Sequence, residues 1–276
     1  MSTPDVDITV LDEIWAVLRD YENPETQRLY KELVGATCRR CQTLLENING
    51  KKIQGVVQGR SKEYKSLHEK LNSLRKDPDF KDSVSTIYEH PEMGDLAGVR
   101  IGLYFPDDVP KVAKEIEEHF DIKHVFGTVT GGRYTATERN IDIDKHVNGK
   151  WYSQGPYRTV EYWEHYGYKS WQVVVEWKDM SEELKEKLAG LGPRPLRVEI
   201  QVGTVVTQAW AEVQHNIIYK NPDNIHTTPT MRRMIDAING LAITTDIMLK
   251  ELEQNLEKAK EEKKKQLQGK IAWSAP

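Results

Sequence analysis

The ten residues "LAGVRIGLYF", Leu96 to Phe105, constrain the fold more than any other stretch of the chain. A near-continuous apolar run of this length is typical of a central strand, and such a strand needs a sheet with material packed on its faces. Gly98 permits a close backbone approach, and Arg100 interrupts the apolar run with a charge. A charge in that setting is costly unless it is paired or meets a ligand. The plainer account is an ion pair between Arg100 and Asp95, which immediately precedes the strand.

Neighbouring segments supply the rest of the sheet. In "LRVEIQVGT", Val198, Ile200 and Val202 alternate with Arg197, Glu199 and Gln201, so one face of that strand is apolar and the other polar. "KSWQVVVEW" reads as a further strand, and a strand is expected from Ile122, followed by a long loop rich in Gly, Thr and Asn up to Tyr157. Helical periodicity runs through residues 8–20 and 24–49, and through the segment that begins at "GRSKEYKSLHEKL" near Gly59. It returns in "PDDVPKVAKEIEEHF", "SEELKEKLAGLG" and "VVTQAWAEVQHNIIYK". Residues 228–268 form a helical tail, expected to break near Gly240. The order predicts an α/β (α+β) fold, with a mixed sheet of about five strands flanked by helices and with helical extensions at both ends.

The formal net charge of −4 gives no overall drive toward nucleic acid or anionic membrane, so a polyanion site must be a local basic cluster. No apolar run reaches the length of a membrane span, and "MSTPDVDITV" carries no signal-peptide pattern. Cys38 and Cys41 stand at helical i, i+3 spacing without further zinc ligands nearby. They read as free thiols in a reducing compartment, and a cytoplasmic location is expected.

Four separated segments place polar groups where the fold would prefer none. "GRSKEYKS" brings Arg60, Lys62, Lys65 and Ser66 to a helix start, where backbone N–H groups already favour anions and basic side chains suit a polyphosphate. "GDLAGVRI" contributes Asp95 and Arg100. "YGYKSWQ" offers the Tyr168 ring for stacking on a base, although Tyr162, Trp163, Tyr166 and Trp171 make a plain hydrophobic cluster an alternative. "VEIQVGTVVTQAWAEVQHNIIYK" contributes Glu199 and Gln201 and the helix after them.

Together these segments resemble the synthetase domain of the RelA/SpoT homologue family. The matching residues are Arg60, Lys62 and Ser66 in an "RxKxxxS" pattern, "DLAGVRI" at 95–101, "GYKS" at 167–170, "EIQ" at 199–201 and "WAEVQHNIIYK" at 210–220, in family order. The resemblance implies a nucleotidyltransferase-like fold, with N-terminal helices over 1–50, the synthetase region over 51–225 and a helical tail over 226–276. No "HD" dipeptide occurs, so the family's hydrolase domain is not expected, nor are its large C-terminal regulatory domains. A stand-alone small alarmone synthetase is the implied type.

The activity so implied is transfer of pyrophosphate from ATP to the 3′-hydroxyl of GDP or GTP, with release of AMP. By resemblance, Arg60, Lys62 and Ser66 hold the ATP phosphates and Arg100 lies against the donor nucleotide. Asp95 and Glu199 hold Mg²⁺, and Glu199 takes the proton from the attacking hydroxyl. Tyr168, Lys169, Gln172 and Gln201 face the acceptor. The chain differs from the family pattern at Gln172, where His is usual, and at Gly203, where Arg is usual. It differs again at Glu164, His165 and Tyr166, where a Lys-Pro-Asn run is common. These differences leave open an adenine nucleotide or the 3′ end of tRNA as acceptor, and a catalytically silent nucleotide-binding regulator as a different class of function. Apolar positions along the tail (Met231, Met234, Ile235, Ile238, Leu241, Leu249, Leu252) fit either a homo-oligomer contact or packing on the chain's own domain.

Overall fold

The computed structural model describes residues 8–75, 87–88, 90–125, 146–147, 150–151, 170–192, 194–214 and 228–273. Two helices come first, α1 (Ile8–Glu22) and α2 (Pro24–Glu46). Asn23 divides them by capping α2, its side chain accepting a hydrogen bond from Glu25 N at 2.9 Å. Pro24 then takes the first helical position, where a missing N–H costs nothing. After these come β1 (Gly55–Ser61), α3 (Tyr64–Leu74), β2 (Ala97–Leu103), α4 (Val109–His119) and β3 (Phe120–Val125). The series ends with β4 (Trp171–Trp177), α5 (Glu182–Leu188), β5 (Val198–Thr204), α6 (Val205–Gln214) and α7 (Pro229–Trp273). His146–Val147 pairs with Lys150–Trp151 as a separate short ribbon.

The five main strands form one mixed sheet in the order β1-β2-β5-β4-β3. β1 is antiparallel to β2, β2 is parallel to β5, and β5, β4 and β3 alternate in direction. Alternation assigns the faces. Ala97, Val99, Ile101 and Leu103 of β2, and Val198, Ile200 and Val202 of β5, point into a core from which water is excluded. α2 and α4 cover that face. Gly59 lies under α2 so closely that a Cβ would come within 2.3 Å of Val34 Cγ1. The opposite face of β2 carries Gly98, Arg100 and Gly102, of which only Arg100 is partly exposed.

Two features differ from the sequence expectation. Residues 55–61 are an edge strand rather than a lead into a helix, so Arg60 sits on a strand and α3 starts only at Tyr64. The tail is one helix that continues through Gly240. Its hold on the body spans that glycine. Ile235 and Ala242 are buried against Trp210 of α6, whose indole N–H donates to Ile235 O at 3.1 Å, and Thr204 Oγ1 donates to Asp246 at 3.1 Å. Docking on both sides outweighs the roughly 1 kcal/mol that a mid-helix glycine costs.

Candidate active site

Register places the polar side chains of β1, β2, β5 and β4 in two adjoining rows. Arg60 stands opposite Gly98, and Gly98 opposite Glu199. One step further along the strands, Gln58, Arg100, Gln201 and Gln172 form the second row. Gly98 is what joins the first row. A Cβ there would lie 3.3 Å from Arg60 Cγ and 3.4 Å from its Nε, so the bare backbone lets Arg60 cross β2. Its guanidinium comes to 3.9 Å from the Glu199 carboxylate.

Asp95 reaches the same face from above. It lies on the 3-10 turn Pro91–Leu96 that leads into β2. Gly94 in this turn sits against Val174 of β4, where a Cβ would be 2.4 Å from Val174 Cγ2. Only glycine lets the turn settle that low. The Asp95 carboxylate then receives the ammonium of Lys62 and, at 3.2 Å, that of Lys70. Lys62 is itself held by its backbone: its N–H donates to Leu96 O at 3.0 Å, and the Tyr21 hydroxyl of α1 donates to its carbonyl at 2.6 Å.

Asp95 and Arg100 are therefore not partners, contrary to the plainer reading of "GDLAGVRI". Arg100 donates from Nε to Gln201 Oε1 at 3.2 Å and from Nη1 to Glu212 of α6. Ser66 lies half-buried on the first turns of α3, one helical turn before Lys70. Gln172 donates to Ser170 Oγ at 2.7 Å. Tyr168 and Lys169, with the rest of "GYK", residues 164–166 and "HNIIYK" at 215–220, lie outside the described residues.

The electrostatics separate the two carboxyl groups. Burial works against ionising Asp95, but the ammonium groups of Lys70 and Lys62 overcome it and hold the group below the ordinary carboxylate range. Burial pushes Glu199 up, the Asp95 charge pushes it further, and Arg60 with a Gln201 hydrogen bond opposes both. A bound divalent cation would relieve that repulsion. The residues present fit Mg²⁺: Asp95 Oδ1 is buried and accepts no hydrogen bond, and both groups are hard oxygen donors. Among the described residues no cluster of three or more Asp, Glu, His or Cys exists to cage an ion. That suits Mg²⁺, which commonly takes one or two carboxylates and completes its shell with phosphates and water.

Lys70 and Glu212 are the residues that sequence reasoning passed over. Lys70 follows Ser66 by four positions, so helical spacing could have placed the two on one side of α3. Glu212 lies inside the "WAEVQH" segment, but nothing local marks it as a partner of Arg100.

A model of the region found in RelA/SpoT proteins matches residues 59–224, a span that contains the two carboxylates and the four cations of this face. The chain belongs to the RelA/SpoT family. Three solved structures illustrate its fold. Small alarmone synthetase 1 from Bacillus subtilis is 21% identical with a TM-score of 0.53, over 83% of this chain and 95% of that one. A GTP pyrophosphokinase family protein from Streptococcus pneumoniae is 19% identical with a TM-score of 0.54, over 85% and 94%. The Bacillus subtilis synthetase 1 bound to its product pppGpp is 22% identical with a TM-score of 0.50, over 82% and 93%. No curated protein matches the sequence. Among the described residues no helix is long and apolar enough to cross a membrane.

Proposed function

We propose that this RelA/SpoT-family chain is a nucleotide 3′-pyrophosphokinase that transfers the β,γ-pyrophosphoryl group of ATP to the 3′-hydroxyl of GDP or GTP and releases AMP. The observation that carries the reading is the convergence of Arg60, Lys62 and Lys70 around the Asp95 and Glu199 carboxylates, with Arg100 in the adjoining row of the same sheet face. Transfer of this kind needs positioning and charge neutralisation more than covalent help from the protein. Arg60, Lys62 and Lys70, with the Ser66 hydroxyl, bind the donor phosphates, and Arg100 lies against the donor nucleotide. Asp95 and Glu199 are the residues that would hold Mg²⁺, which neutralises charge on the bridging phosphate oxygens when bound. Glu199 takes the proton from the attacking 3′-hydroxyl. Incoming phosphates compete for Lys62 and Lys70, freeing Asp95 for its role as metal ligand.

On the acceptor side we place Tyr168, Lys169, Gln172 and Gln201, with a guanine nucleotide as the acceptor because a fold relative is bound to pppGpp. The experiment is incubation with γ-labelled ATP and Mg²⁺ and, in turn, GDP, GTP, AMP, ADP, ATP and tRNA, following label transfer and AMP release. Label on GDP or GTP with stoichiometric AMP is the expected result. Label only on adenine nucleotides or tRNA overturns the acceptor, and no transfer at all makes the chain a silent nucleotide binder.

We also infer self-association through α7. Met234, Ile238, Leu241, Met248 and Leu252 are exposed at alternating helical steps along one side of it, a stripe larger than scattered surface residues make. Ala237 and Thr244 flank the stripe, so a second copy of α7 meets no like charge there.

A further inference from the structure

We propose that Glu212 is a positioning residue for the transfer reaction, anchoring a relay that runs Glu212–Arg100–Gln201–Glu199 across the sheet face; this rests on the pyrophosphokinase reading above. Each link is a contact between neighbours. Arg100 Nη1 donates to Glu212 Oε2 and Arg100 Nε donates to Gln201 Oε1 at 3.2 Å; Gln201 in turn stands next to Glu199 on the same face of β5 and favours its ionised form. Register makes the middle of the chain unavoidable, because Arg100 and Gln201 face each other on parallel strands and Glu199 is the next residue on the same face of β5.

The order of charges locks the relay. An amide has a donor end and an acceptor end. With a guanidinium on one side and a carboxylate on the other, Gln201 can satisfy both in one orientation only. Flipping it sets NH₂ against Arg100 and oxygen against Glu199. The Gln201 oxygen is engaged by Arg100, which turns the NH₂ end toward the Glu199 side and makes the amide a link between the donor-side cation and the base.

The far end is fixed by α6. Gln208 Nε2 donates to Ile101 O at 2.9 Å, next in the chain to Arg100. Gly102 lets the helix sit close, since a Cβ there would come to 2.7 Å from Gln208 Oε1 and 3.0 Å from Val205 Cγ1. Glu212 follows Gln208 by one helical turn, so it is presented to β2 on the same side of α6. The helix is held in turn by α7 through Trp210 and through the Thr204–Asp246 contact. With two of its nitrogens engaged, the Arg100 guanidinium is fixed in plane and offers its flat face and Nη2 to a nucleotide.

Calorimetric titration of Mg²⁺ with AMPCPP, an ATP analogue that cannot donate its pyrophosphate, decides the matter on wild type, Glu212→Ala, Glu212→Gln, Arg100→Ala and the Arg100→Ala/Glu212→Ala double variant. Unfolding temperatures serve as the control for folding. Glu212→Ala is expected to weaken binding about tenfold, and Glu212→Gln, which keeps an acceptor for Nη1, to recover most of it. In the Arg100→Ala background the Glu212 change is expected to add less than about twofold. At saturating ATP, kcat should fall with Glu212→Ala and recover with Glu212→Gln. The proposal is overturned if Glu212→Ala leaves binding unchanged or tightens it, as a competing counter-ion would. It is equally overturned if Gln is no better than Ala, or if the two single effects multiply. Should the wild type transfer to no acceptor, the pyrophosphokinase reading falls, while the binding arms still decide the role of Glu212.

Discussion

At the scale of single residues, two glycines and two carboxylates shape the site. Gly98 lets Arg60 lie across a strand, and Gly94 lets the Asp95 turn rest on Val174. Their role is absence of a side chain, because neither has the positive φ that would demand glycine for backbone reasons. Gly94→Ala is expected to cost about 1–3 kcal/mol, the range for an overpacked contact, and to reduce transfer by lifting Asp95 off the sheet. Denaturant midpoints and the transfer assay on the same preparation check both effects. Glu199→Gln is expected to lower kcat by about 10²–10⁴-fold, the usual contribution of a general base, while AMPCPP binding stays within a few-fold of wild type. Loss of binding or of the folded state would instead make Glu199 a structural residue.

At the scale of elements, α7 behaves as two halves. Around Gly240 it is fastened by apolar contacts and by the Thr204–Asp246 hydrogen bond; further on, its contacts are almost all charged. Lys250 reaches Asp107 at 3.2 Å, Glu253 reaches Lys111 at 3.8 Å and Glu257 reaches Lys51 at 3.6 Å. Burial, then the Asp108 carboxylate, raises Glu253, with Asp107 and Glu257 adding to this and Lys111 opposing it. A raised carboxyl contributes stability that is present at acid pH and lost as pH rises through its folded-state value. Glu253→Gln is therefore expected to raise the unfolding temperature near neutral pH and to make little difference near pH 4, read from thermal melts across that range. The exposed stripe on the same helix carries a separate expectation. Leu241→Lys should convert the self-associated protein to monomer in sedimentation experiments without lowering the unfolding temperature of the subunit, because Leu241 projects outward while Ile235 and Ala242 hold the helix.

At the scale of the whole molecule, a chain of formal net charge −4 carries a candidate site with four cationic side chains. On the function proposed above, its attraction for nucleotides is local and screened by salt. The KM for Mg·ATP is expected to rise several-fold between about 50 and 300 mM salt, and tRNA to show no salt-sensitive binding of the kind a broad basic surface gives. Steady-state kinetics and a tRNA titration at the two salt concentrations check this. The site's make-up was legible in the chain because a strand's period of two fixes which residues share a face whatever lies beside it. "EIQ" and "DLAGVRI" thus announced Glu199, Gln201 and Arg100 together, and a mixed sheet followed from the order of segments. β1 was not legible: "GVVQGRS" mixes glycine with charge on an edge strand, and its extended form comes from pairing with β2. Partnership was hidden too. Asp95 and Arg100 are five positions apart, yet their partners Lys62 and Glu212 come from 33 and 112 positions away. By itself, then, the sequence determined the family, the strands' faces and the chemical identity of the polar groups, since these depend on local pleat and residue type. Only the tertiary structure decided which carboxylate each cation meets, because that depends on strand order and on how low Gly94 lets a turn, and Gly102 a helix, settle.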